Sequence, residues 1–155
     1  MNSSIIEPVS VTTLPLELSE MNESTQIQFS FPVNIDNIGV LLYRLVSFIA
    51  MKDDCNQEGI VTPSRTALMN AIHFLFQISD LTHLLQAEDI YCTKHGTIVI
   101  DLEMQNKLLS VEIGDRNLGY IMEENETIIK TLDKQPVAAF YLSPEISDAL
   151  SWLRA

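Results

Sequence analysis

Residues 96–122 read GTIVIDLEMQNKLLSVEIGDRNLGYIM, and this stretch decides the fold. Ile98, Ile100, Leu102 and Met104 alternate with Thr97, Val99, Asp101 and Glu103, the period of a strand with one buried face. Leu109, Val111 and Ile113 alternate with Ser110 and Glu112, and Leu118, Tyr120 and Met122 repeat the pattern. A two-residue loop at Gln105-Asn106, with Asn taking the positive φ of a tight turn, sets Leu102 opposite Leu109, Ile100 opposite Val111 and Ile98 opposite Ile113. A loop over 114–117 then sets Ile113 opposite Leu118, Val111 opposite Tyr120 and Leu109 opposite Met122. In that register the apolar residues land on one face. A slip by one residue would turn a whole strand's apolar set toward water, so the stretch reads as an antiparallel meander.

Outward from the meander, the densest apolar segment, 38–51, carries Arg44 and is too short to span a bilayer. It reads as a buried helix from Ile38 to about Lys52, capped by Asp36 or Asn37, with Ile38, Leu41, Leu42, Leu45 and Ile49 on one stripe. Leu41, Leu42, Tyr43, Leu45, Val46, Phe48 and Ile49 cover more than one stripe. Both sides of this helix therefore call for cover, from the N-terminal arm and the second helix or from a second subunit. Thr62-Pro63-Ser64 signals a helix start, and Leu68, Ala71, Ile72, Leu75 and Phe76 form the apolar face of a helix ending near Ile78. A weaker helical turn over 81–87, a short strand over 90–93, further strands over 127–132 and 137–142, and a terminal helix begun by Ser143-Pro144-Glu145 complete the pass. Trp152, with Phe140 and Tyr141, is expected to dock that helix into the core; the alternative is an exposed homodimer or partner contact.

Ile27, Phe29, Phe31 and Val33 alternate as a strand, with Pro32 suggesting an edge. Residues 1–24 carry no Lys or Arg and are rich in Ser, Thr, Glu and Pro, so they read as an acidic arm, flexible or docked, ahead of a single domain over 25–155. Helices segregated from runs of strands mean α+β. The expected architecture is an antiparallel β-meander of about four to six strands packed on two main helices, plus a C-terminal helix.

A chain of 155 residues, 46% hydrophobic, suits one domain with a full core. No basic region followed by a continuous apolar core opens it, so a cytoplasmic protein without an export signal is expected. In that setting Cys55 and Cys92 read as reduced thiols. The net charge of −12 argues against a phosphate-binding surface, which needs clustered Lys and Arg.

Asp101, Glu103 and Glu112 fall on the polar side of the meander, with Asp101 opposite Ser110 and Glu112 diagonal to it. Two close carboxylates can support general acid–base or glycosidase chemistry, but that chemistry needs a pocket to raise one pKa. These three read as the solvated side of a half-buried sheet. His73, His83 and His95 show no HxH or HExxH spacing, and no Cys-x-x-Cys occurs. Cys92 and His95 lie three apart in a strand-to-turn segment, where side chains need not converge. Gly96, Gly114 and Gly119 sit at turns or strand kinks, not in a phosphate-cradling loop, and no Gly-x-Ser-x-Gly elbow is present. No catalytic, cofactor-binding or metal-ligating residue is assigned, and no cofactor is expected.

The helix PSRTALMNAIHFLF followed by DIYCTKHGTIVIDLEMQNKLLSVEIGDRNLGYI, over 63–122, resembles a group of small uncharacterised bacterial proteins. In that group the first strand often ends Leu-Glu-Trp, where this chain has Leu102-Glu103-Met104. The group has no biochemistry to carry over, so the resemblance transfers no functional residue.

Three functions are weighed. The preferred one is a non-enzymatic protein-interaction module, an antitoxin or immunity-type partner of a neighbouring gene product, suggested by missing catalytic groups, an acidic surface and surplus apolar helix surface. It predicts another protein as partner, allows a homodimer, and expects no membrane and no direct nucleic-acid binding. The second is a small hydrolase or ligand-binding domain between sheet and helices using His95, Asp101 and Glu112; a deep pocket holding two of these would favour it, and a flat solvated face would end it. The third is an acidic DNA mimic, which requires acidic side chains along one elongated face.

Overall fold

Each strand of the sheet pairs with its neighbour in sequence. In the computed structural model the described residues are 35–50, 61–137 and 142–155. They form helices α1 (Ile35–Ala50), α2 (Arg65–Gln77) and α3 (Pro144–Arg154), two short 3₁₀ turns at Thr82–Leu84 and Ala87–Asp89, and strands β1 (Ile90–Cys92), β2 (Ile98–Met104), β3 (Lys107–Ile113), β4 (Asn117–Glu124) and β5 (Thr127–Pro136). The sheet is antiparallel throughout, in the order β1-β2-β3-β4-β5. The protein is α+β.

The meander register is the one its apolar pattern demands: Leu102 pairs with Leu109, Ile100 with Val111 and Ile98 with Ile113, then Ile113 with Leu118, Val111 with Tyr120 and Leu109 with Met122. These side chains form one face, against which Leu41, Leu45 and Phe48 of α1, Leu68, Phe74 and Leu75 of α2, and Ile146, Leu150 and Leu153 of α3 pack in one continuous core. Burial of this set is the main force holding the layers together.

Polar side chains set where the helices lie. Asn37 donates to the carbonyls of Thr82 and Leu85, Arg44 Nε donates to the Ile90 carbonyl at 3.1 Å, and Asn70 Nδ2 donates to the Gly114 and Asp115 carbonyls at 2.9 and 3.1 Å. Lys107 Nζ donates to the Trp152 carbonyl at 2.9 Å and lies 5.2 Å from the centre of that indole ring, so the end of α3 is held to β3 by an ammonium serving two acceptors. Half-buried Trp152 packs against the core, in agreement with the docked reading of the terminal helix.

Several local expectations differ. α1 begins at Ile35, so Asn37 lies within its first turn and clamps the 3₁₀ segment instead of capping. On α1 the fourth buried position is Phe48, and Ile49 is exposed. On α2 the stripe is Ala67, Leu68, Ala71, Phe74 and Leu75, while Phe76 lies about 140° around the helix from Ala71 and is exposed. The N-cap of α2 is Ser64, whose Oγ accepts from Ala67 N at 3.0 Å. At the β2–β3 turn the positive φ falls on Gln105, at 58°, and not on Asn106. Asn106 is used otherwise: its side chain donates to Asn125 Oδ1 at 2.9 Å across the sheet end.

Not every apolar residue shares the helix-covered face. Val99, 6% exposed, stands on the other one, directly between Tyr91 on β1 and Glu112 on β3, whose long side chains flank it. Leu108 and Ile121 share that face. β5 begins at Thr127 as expected but runs on to Pro136, with register irregularities near Gly119 and Met122. Val137 and Leu142 are not in strand, and 138–141 lie outside the described residues, as do the arm, the strand expected at 27–33, Cys55, Phe140 and Tyr141.

Candidate functional site

An open cleft of about 660 Å³ lies at one end of the sheet. It forms where two tight connections and strand β5 meet the start of α2. The β1–β2 turn brings His95, Gly96 and Thr97, the β3–β4 loop brings Gly114, Asp115, Arg116 and Asn117, and β5 brings Asp133 and Lys134. Thr93 N donates to the Thr97 carbonyl at 2.9 Å and Gly96 N to the Thr93 carbonyl at 3.1 Å. Gly96 has φ +78° and closes this turn, a conformation that costs glycine least.

The cleft gathers His95 and Glu112 but not Asp101. Thr97 and Glu112 hydrogen-bond through hydroxyl and carboxylate, and Thr97 is joined to Thr93 Oγ1 at 2.6 Å. Asp101 instead accepts from the Tyr91 hydroxyl at 3.2 Å. Burial, then the Asp101 carboxylate beside it, holds the Tyr91 phenol above its ordinary range. Neither carboxylate stands in an enclosed apolar pocket of the kind that poises a general acid.

Charge in the cleft is mixed. Arg116 and Lys134 line it together with Glu112, Asp115 and Asp133, and the His95 imidazole is among the lining side chains. The N-terminus of α2 opens here, where a helix favours an anion. Asp115 takes that place, accepting a hydrogen bond from the Ser64 hydroxyl. The chain thus answers the helix terminus with its own carboxylate. What the walls offer a ligand is a set of hydroxyls, an amide and charges of both signs, suited to a polar molecule held by hydrogen bonds.

The remaining candidates stay apart. His73 is on α2, and His83 is on the first 3₁₀ turn with Nδ1 2.9 Å from the Asp80 carbonyl. Cys92 ends β1, half-buried. Among the described residues no group of three His, Cys, Asp or Glu side chains is placed to hold a metal ion. The polar sheet face carries Asp101, Glu103, Glu112 and also Glu123, but Val99, Leu108, Ser110 and Ile121 are interleaved with them, so the carboxylates do not form a continuous row.

Sequence reasoning finds His95 and Glu112 but misses Arg116, Asp133 and Lys134. The first signal for these is turn chemistry at 114–117; the position of Lys134, φ 59°, depends on a strand irregularity that periodicity does not encode.

A second surface stands out more than the cleft. α1 and α2 touch each other on the same side of the sheet, and their outward sides show Val40, Tyr43, Val46 and Ile49, and Met69 and Phe76, all exposed. Tyr43 is the most exposed, at 78%. No helix among the described residues is long and apolar enough to cross a membrane.

No family model matches the chain, and neither a curated protein nor a solved structure matches it.

Proposed function

We propose that this chain is a non-enzymatic, cytoplasmic protein-interaction module, one member of a pair with the product of a neighbouring gene, in the manner of an antitoxin or immunity factor. The observation that carries the reading is the outward side of the helical layer. Six large apolar side chains are exposed there, on two helices in contact, in a chain whose net charge of −12 keeps the rest of it soluble. Scattered surface apolar residues need no explanation, but a set gathered on one layer marks a contact surface. The test is affinity capture from the native host at low and moderate salt, with wild type beside Phe76→Glu. Wild type should retain one stoichiometric partner in both salts, and the variant should lose about tenfold or more of it. Recovery of no stoichiometric partner in either salt would count decisively against the reading.

The cleft favours a second reading, a binding domain for a small polar ligand, because His95 and Glu112 converge there with Arg116 and Lys134. Titration with succinate, inorganic phosphate and glucose at about millimolar levels, the weak-binding range, checks it. Amide ¹⁵N shifts should move together at Arg116, Asn117 and Lys134 for at least one probe. Movement for none of them would remove this reading.

A further inference from the structure

Strand β5 departs from regular geometry where it borders the cleft. Leu118 pairs with Gln135 and Tyr120 with Leu132, so Asp133 and Lys134 together stand opposite the single residue Gly119. Two residues against one make a β-bulge, and the second of them, Lys134, has φ 59°. Consecutive residues of a regular strand point to opposite faces. Here both line the cleft, because the bulge turns one onto the side of the other. A carboxylate and an ammonium from neighbouring positions thus reach one cavity, the re-aiming for which bulges recur beside active sites.

A chain of hydroxyls holds a second carboxylate of the cleft. The Thr97 hydroxyl donates to Glu112 Oε1, since a carboxylate only accepts. A hydroxyl has one proton, so in the 2.6 Å contact between Thr93 and Thr97 the donor is Thr93. Thr93 Oγ1 in turn accepts from His95 N at 3.1 Å. Every proton of the chain is placed, and the chain ends on Glu112. Its Oε2, and the side chains of Asp133, Arg116 and Lys134, make no hydrogen bond or ion pair among the described residues.

Between the two carboxylates lies a floor without a side chain. Glu112 on β3 pairs with Gly119 on β4, and a Cβ at Gly119 would stand 3.6 Å from Asp133 Oδ1 on β5. Glu112 and Asp133 therefore flank Gly119 across two strand spacings, about 10 Å between backbones. An ammonium group seated over Gly119 can reach a carboxylate on either side. Arg116 lies in the β3–β4 loop, beyond the Asn117–Pro136 pair, and Lys134 lies between that pair and Gly119. They offer an anionic group a planar fork and a point charge.

Charge selects the ligand. A simple anion meets Glu112, Asp115 and Asp133, in a chain of net charge −12. A simple cation meets Arg116 and Lys134. A phosphate ester, with about −1.5 to −2 charge, is disfavoured more than a carboxylate by the same count. A molecule of no net charge with separated charged ends meets neither repulsion. Apart from glycines, the apolar part of the wall is Val61 and Leu118, which gives a large apolar tail little to pack against.

We infer that the cleft binds a small zwitterion, an ammonium and a carboxylate on one short skeleton, the class of a free amino acid. Its ammonium sits over Gly119 between Glu112 and Asp133, and its carboxylate meets Arg116 and Lys134. The inference rests on the small-polar-ligand reading and names the ligand class within it.

Titration of the full chain with glycine, β-alanine and γ-aminobutyrate, followed by amide ¹⁵N shifts, tests this against two matched half-ligands, butyrate and n-butylammonium. At least one zwitterion should bind at about millimolar Kd, moving Glu112 and Gly119 together with Arg116 and Lys134. Each half-ligand should bind at least about tenfold more weakly, having lost the hydrogen bonds to one set of charged groups. Glu112→Gln keeps an acceptor for Thr97 and removes only the charge. It should weaken the zwitterion at least about tenfold and leave butyrate unchanged, whereas Arg116→Gln should weaken both. A half-ligand that binds as tightly as the zwitterions, or a Glu112→Gln variant that binds them as wild type does, would overturn the inference. Shifts for succinate, phosphate or glucose with none for the zwitterions would also overturn it, leaving the polar-ligand reading standing with another class. Silence from every probe would remove both.

Discussion

Leu109→Ala lowers the unfolding free energy by about 3–4 kcal/mol, read as a large drop in the urea midpoint at unchanged m-value. Leu109 is fully buried on the central strand β3, with Leu102 directly across on β2 and Met122 on β4. α3 packs over this part of the sheet. Truncation removes the transfer free energy of the lost carbons and leaves a void that three paired strands and a helix cannot close by moving. For a domain whose total stability is about 5–15 kcal/mol, such a loss is a substantial fraction of the whole. Ile121→Ala on the opposite face is the matched control, because Ile121 is 38% exposed and its truncation should cost about 1 kcal/mol or less. Equal effects at the two sites would show that the buried face has been misassigned.

Gly119→Val destabilises by about 3 kcal/mol and Gly119→Ala by about 2 kcal/mol, through steric conflict with the backbone. A Cβ at Gly119 would stand 2.8 Å from the Leu132 carbonyl oxygen, in strand β5. No side-chain rotamer relieves that contact, because the opposing atom is main chain. The two strands must part where their register already shifts, between Leu118 and Tyr120. Amide hydrogen exchange locates the damage: β5 amides such as Thr131 and Leu132 should exchange at least about tenfold faster, while those of β2 and β3 keep their protection. Uniform loss of protection across the sheet would contradict a local cause, and wild-type stability in Gly119→Ala would contradict the close approach itself.

The parts of the fold that are readable from the residues are those governed by local period. β2, β3 and β4 alternate cleanly, and one register satisfies all three, so their pairing is legible down to individual partners. The helices are legible in extent but less so in rotation. Phe48 and Phe76 fall on other sides than their spacing suggests because both helices carry apolar residues around most of their circumference, and a moment taken from composition cannot choose between adjacent apolar positions. Val99 breaks the alternation rule for a different reason, since an interior strand can bury a residue on its open face between long neighbours, whereas Ile121 on the same face stays exposed.

The cleft is half legible. His95 and Glu112 draw notice for their chemistry, but their meeting depends on the β1–β2 turn folding beside β3, a tertiary fact. Asp101 groups with them by face and is taken instead by Tyr91. The Ser64 to Asp115 contact that closes the α2 terminus spans 51 positions in the chain, a separation that no local pattern reports.

The sequential order of the sheet has a kinetic meaning. Because β2 through β5 are joined by short turns and each pairs with the strand next to it, this part of the molecule can form by closing small loops, at little entropic cost. The anchors of α1 cross 45 to 48 positions, and those that fix α2 to the β3–β4 loop cross 44 to 51. Contacts of that separation are slow to find. The meander is thus the natural nucleus, with the helices settling onto a sheet that already exists. Substitutions along β2 and β3 should act mainly on the speed of folding, and those at the helix anchors mainly on the speed of unfolding.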